Sequence, residues 1–183
     1  DSFLRPNSIP VPSGISNLNL KGYKEKINYM RNVHSSEYDK KWTEEVMLTL
    51  FSLQEGISRL RDRNIEGYSD RGKGTITLLE TFYTLGNNSI KNVEPEFSIT
   101  SGRTHICFDK KFKLKKQKID IPVFNNKYRK VIAFNEDNDI FKKADTRYVK
   151  QIEQYFPGTI ISMKFYIDAS YLKSIKGVGY GDN

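Results

Sequence analysis

The chain has 183 residues and a formal charge of +8, from 30 Lys and Arg against 22 Asp and Glu. A hydrophobic fraction of 37%, with 11 Tyr and 11 Phe, is enough apolar side chain to bury a core, which excludes wholesale disorder. The apolar runs are too short to span a bilayer, and the single cysteine, Cys107, excludes an internal disulfide framework and a thiolate zinc cluster.

The basic balance favours polyanionic partners such as nucleic acid, acidic membrane or phosphorylated ligands, and it also suits a role in solubility alone. No signal peptide opens the chain, and a start at Asp1 is compatible with a piece of a larger secreted parent.

Residues 1–18 hold Pro6, Pro10, Pro12 and Gly14 among Ser and Asn, which predicts an extended arm or linker. The remainder, 19–183, reads as a single α+β domain. Helical character begins over 21–34. Trp42, Val46, Leu50, Leu53, Ile57 and Leu60 recur at helical spacing and predict a second helix, stopping near Gly56 or continuing to Leu60. Ser35, Ser36 and Asp39 are its candidate caps. After Gly67 the Gly- and Asn-punctuated runs rich in Thr, Ile, Tyr and Phe predict strands or short helices. Strands are expected at 95–101, 104–108, 117–123, 129–134 and 159–168, and a loop with a helical turn at 140–154. The expected fold is α+β, with N-terminal helices followed by two packed, mainly antiparallel sheets around a cleft.

Several motifs could carry chemistry. His34 and His105 are the two histidines, and neither has ligands at metal spacing beside it, so no metal is expected. As a pair they could run acid–base cleavage of RNA, with the lysines at 110, 111, 113, 115, 116 and 118 holding phosphates; both also suit structural roles. Phe112 and Leu114 alternate with those lysines, which predicts a lysine-protected edge strand. GKGT at 72–75 lacks the upstream glycine of a phosphate loop, and GVGYG at 177–181 precedes no helix.

The stretch Gln151-Ile152-Glu153-Gln154-Tyr155-Phe156-Pro157-Gly158-Thr159 closely resembles the last motif of the mono-ADP-ribosyltransferase toxins: Gln-x-Glu, an apolar pair, proline, then Gly-Thr opening a strand. Phe97-Ser98-Ile99-Thr100-Ser101 is similar to the family's aromatic-x-Ser-Thr-Ser motif, with Ile99 at the first serine, or with Ser98 and Thr100 as the pair in a shifted register. Residues 118–124 resemble the segment between these motifs. Arg59 and Arg61 stand where the family carries an early arginine, without its usual aromatic neighbour.

The resemblance implies a transferase that cleaves NAD and passes ADP-ribose to a protein or nucleobase acceptor. Glu153 would hold the ribose hydroxyl and the developing positive charge, and Gln151 would orient the acceptor. Ser98, Thr100 or Ser101 would hold Glu153, and Arg59 or Arg61 would grip the diphosphate. It implies NAD as the substrate, and a secreted effector domain of a larger toxin acting in a target-cell cytoplasm. Beside it stand a non-enzymatic basic domain binding nucleic acid or a protein, and the histidine-dependent ribonuclease.

Overall fold

The computed structural model describes residues 18–57, 73–87, 96–109, 111–119 and 128–164. Among the described residues three helices precede two small antiparallel sheets, an α+β arrangement: α1 Leu18–His34, α2 Glu44–Ser52, α3 Gly74–Asn87, then β1 Glu96–Phe108, β2 Lys115–Lys118, β3 Tyr128–Val131 and β4 Val149–Lys164. One sheet pairs β1 with β4, the other β2 with β3. Among the described residues no helix is long and apolar enough to cross a membrane. Of the arm expected over 1–18, only Leu18 is among the described residues, where it opens α1; the rest of it and the candidate arginines Arg59 and Arg61 lie outside them.

Helix α1 buries Tyr23, Ile27, Met30 and His34, a stripe at three- and four-residue steps. Its last turn carries Arg31, where a cation complements the helix dipole. Helix α2 is shorter than its apolar spacing predicts. Thr43 caps it, its hydroxyl accepting from the Val46 amide, and Glu44 and Glu45 occupy the first turn. Every residue from Val46 to Phe51 is buried, so this helix runs through the core. It ends at Leu53, and the chain turns through Gly56, whose φ of 76° a side chain would resist.

The turn is fixed by Gln54, which is buried. Its amide nitrogen donates to the carbonyls of Leu50 (2.8 Å) and Ile132 (3.1 Å), and its oxygen accepts from the Ile132 amide at 3.0 Å. Asn138 does the same on either side of Ile132, accepting from the Ala133 amide (2.9 Å) and donating to the Val131 carbonyl (3.1 Å). Two side-chain amides thus bond the backbone of the buried segment 131–133, which runs on from Val131, the last paired residue of the short strand β3.

The glycine-punctuated region after residue 72 forms helix α3. Ile76, Leu79 and Phe82 are buried at three-residue steps while Thr77, Thr81 and Thr84 face out. Phe82 starts a chain of aromatic contacts through Phe97, Phe108, Phe134, Phe112 and Tyr148, with centroid spacings of 5.1, 4.7, 5.1, 5.6 and 5.1 Å. This chain joins α3, β1 and the segments flanking both sheets into one core.

The two strands expected at 95–101 and 104–108 are one strand, β1, interrupted at Gly102 (φ 58°). Strand β4 begins at Val149, ten residues before the expected 159, because 140–148 forms turns and 149–158 continues the ladder. Segment 111–114 is not a strand. Phe112 is buried and Leu114 packs on the core, while Lys111, Lys113, Lys115, Lys116 and Lys118 are exposed.

Candidate functional site

The Gln-x-Glu stretch lies where the β1–β4 ladder loses its regular register. From Glu96↔Lys164 to Ser101↔Thr159 the strands pair residue for residue. The next pairs are Gly102↔Phe156 and Thr104↔Gln151. Pro157 and Gly158 are therefore extra on β4 after one pair, and Ile152, Glu153, Gln154 and Tyr155 stand opposite the single residue Arg103 after the next. Proline has no amide to give a ladder and so belongs in such a bulge. Gly158 suits it as well: a Cβ there would come within 3.1 Å of the Phe156 ring.

Alternation along the strands sorts the side chains. Phe97 and Phe108 touch in the core, so Phe97, Ile99, Thr104, Ile106 and Phe108 share one face of β1 despite the bulge between them. Residues directly opposite in an antiparallel pair share a face. Gln151, opposite buried Thr104, is on that core-side face, and so is Ser101, two residues after Ile99. Ser98 and Thr100 lie on the other face, where the Thr100 hydroxyl bonds His105. Of the three candidate hydroxyls, Ser101 is the one brought to the Gln151 side. Its oxygen is 2.9 Å from the Thr159 hydroxyl.

Helix α2 clamps the bulge. The Arg103 amide donates to the Glu45 carboxylate at 2.5 Å, and Thr104 donates to the Thr49 hydroxyl at 3.2 Å. The Gln151 amide donates to the Lys41 carbonyl at 2.9 Å, just ahead of the helix. The Arg103 guanidinium crosses the ladder and donates to the Glu153 carbonyl. This holds the Glu153 turn by its backbone and leaves the carboxylate exposed. Nothing in the sequence pattern singles out Arg103 or Glu45. They stand 58 residues apart, and only the fold joins them.

His34 and His105 serve different neighbourhoods. His34 is fully buried, with Nδ1 2.9 Å from the Glu37 carboxylate, Nε2 2.9 Å from the Ile140 carbonyl and its ring against Trp42. With both nitrogens engaged away from solvent, it fastens the end of α1 to the 140 turn. His105 lies on β1, half-buried beside Thr100 and Cys107. Among the described residues no group of three or more His, Cys, Asp or Glu side chains is gathered to hold a metal ion.

Comparison of the chain with family models, curated proteins and solved structures finds no match.

Proposed function

We propose that the chain is an NAD-cleaving mono-ADP-ribosyltransferase in which Glu153 is the catalytic carboxylate. The observation that carries the reading is the coincidence of the Gln151–Thr159 motif with the double bulge of β4, which pairs with Ser101–Thr104 of β1 and so meets the serine–threonine segment at its last residue, Ser101. Bulges re-aim side chains and concentrate beside active sites. The arrangement leaves Glu153 exposed, with its backbone tied to Arg103, and the hydroxyl pair Ser101 and Thr159 ends the regular ladder on the far side of the bulge.

In the reaction the bond between nicotinamide and C1′ of its ribose breaks, and nicotinamide leaves with the bonding electrons as a neutral base. A bond forms from C1′ to the acceptor nucleophile, whose proton passes to solvent. The transition state has oxocarbenium character, so a carboxylate at the 2′-hydroxyl stabilises it more than it stabilises bound NAD. Glu153 takes that role and Gln151 orients the acceptor. Of Ser98, Thr100 and Ser101, we assign Ser101, on the Gln151 face of β1, to hold the carboxylate, and Arg103 is a positioning residue for the backbone at Glu153. Arg59 and Arg61 remain the arginines assigned to the diphosphate, where a planar fork of donors suits phosphate oxygens.

The test is nicotinamide release from NAD by the purified chain beside Glu153→Gln, with circular dichroism showing that the variant folds. The parent is expected to release nicotinamide at least about a hundredfold faster, the typical scale for one electrostatic group. If the parent neither releases nicotinamide nor gains thermal stability with millimolar NAD, the transferase reading is wrong.

A further inference from the structure

On the face of β1 opposite Gln151, three side chains form a relay. The Thr100 hydroxyl is 2.9 Å from His105 Nδ1, and His105 Nε2 is 3.0 Å from Cys107 Sγ. All three residues are half-buried. His105 and Cys107 meet because alternate residues of a strand share a face. Thr100 joins them because the bulge at Gly102 shifts the alternation between the two halves of β1. Lys150 stands directly across the ladder from His105.

We propose that Cys107 is a thiol–disulfide exchange site for small anionic disulfides of the glutathione type, with His105 as its base and Thr100 as the group that positions the imidazole.

A nucleophile in hydrogen-bond reach of a base, with the base oriented by a third group, is the arrangement that activates thiols. The geometry accommodates the proton's whole path. With the thiol S–H donating to Nε2, Nδ1 carries its hydrogen and donates to the Thr100 oxygen. After the proton moves, Nε2–H faces the thiolate and the bond to Thr100 is unchanged. The thiolate then attacks one sulfur of the external disulfide. The new bond joins Cys107 Sγ to that sulfur, the old sulfur–sulfur bond breaks, and the departing thiolate takes the proton back from the imidazolium. One disulfide is consumed and one formed, so no further oxidant is needed.

The surroundings define the partner. Cys107 is the only cysteine in the chain, so the disulfide must come from outside and the mixed disulfide cannot be resolved internally. A half-buried sulfur on a strand admits a small molecule more readily than a folded protein. The Lys150 charge favours both the thiolate and an anionic disulfide, as does the net charge of +8. Burial acts the other way and is the larger effect on Cys107, holding its thiol up, with Asp109 and Glu96 adding to it. Burial and Lys150 together hold the His105 imidazole below its ordinary range. The resting pair is therefore neutral, and the thiolate forms only when the proton is handed to His105.

The experiment is intact-mass spectrometry of the full chain after timed exposure to oxidised glutathione, with a neutral disulfide, 2-hydroxyethyl disulfide, as the comparison. The expected result is a single adduct, removed by reductant, absent in Cys107→Ser and formed faster from the anionic disulfide. His105→Gln is expected to slow adduct formation about tenfold or more, the lower range for loss of a general base. Thr100→Val should slow it less and move the pH profile of the parent's rate. If the folded parent forms no adduct while the urea-unfolded chain does, Cys107 is a packed thiol and the proposal is overturned. Equal rates for parent and a folded His105→Gln variant overturn the relay, and a parent profile following an isolated thiol does so without any variant.

Discussion

Gln54 is one side chain standing in for a strand. Ile132 lies beyond the last pair of β3, and its backbone amide and carbonyl are buried. The Gln54 amide accepts from the first and donates to the second, and it holds the Leu50 carbonyl as well. Replacing Gln54 with Leu keeps the volume roughly constant and removes all three bonds. Each buried backbone group left without a partner costs about 1–3 kcal/mol. Gln54→Leu is therefore expected to lower the unfolding free energy by at least that amount, read as a drop in the urea midpoint at constant slope. A midpoint equal to that of the parent would mean water or a local shift satisfies Ile132. The same residue explains where the helix stops. Leu53 and Ile57 continue the apolar spacing of α2, so the pattern predicts a helix that stops near Gly56 or continues to Leu60. The chain turns instead, because Gln54 bonds back to Leu50 and across to Ile132, a partner 78 residues away.

The bulge between β1 and β4 is the element on which both proposals rest, and Gly102 sets it. Its φ of 58° is costly for a residue with a Cβ, about 1–2 kcal/mol. Gly102→Ala is expected to destabilise the chain by that amount and, because the turn re-aims Arg103, to reduce nicotinamide release and glutathione adduct formation together. A variant that loses stability but keeps both activities would show that the bulge serves packing alone. The bulge also marks how far the site was legible in sequence. Period-two alternation made strands of 95–101 and 104–108, and the Gly102-Arg103 interval read as their boundary. Pairing across the ladder shows one strand with a kink. His105 and Cys107 share a face because they are alternate residues of one strand. Thr100 joins them only because the bulge shifts the faces between the two halves of the strand. The Ser98–Thr100 register and the Ser101 register differ only in which face meets Gln151, a question that needs the partner strand. Helix α3 was open to either reading because its Thr, Ile, Phe and Tyr content suits strands, while burial of Ile76, Leu79 and Phe82 on a helical step stabilises the helix.

Across the whole molecule, positive charge and open strand edges are arranged together. Strands β2 and β3 pair only with each other among the described residues; β2 presents an edge, while on β3 the Lys130 amide and carbonyl are both bonded to Glu55. The exposed lysines around β2 make that edge a poor template for another strand, since an added chain would bring its own copies of the same charges. Strand β4 lacks this protection: Ile160, Ile161 and Met163 are exposed along it. The protection has a cost in a chain already at +8, because like charges repel in the compact state. That cost is readable through salt. Lys113→Gln combined with Lys115→Gln is expected to raise the melting temperature at low ionic strength, where the Debye length is about 30 Å. The gain should shrink near physiological salt, where that length is about 8 Å. The same variant should self-associate more readily in size-exclusion chromatography as the β2 edge loses its charge. A lower melting temperature for the variant at low salt would instead mean that these lysines hold the fold through attractive partners. The two outcomes differ in sign, so one pair of melting curves at two salt concentrations separates an edge guarded by repulsion from an edge fastened by ion pairs.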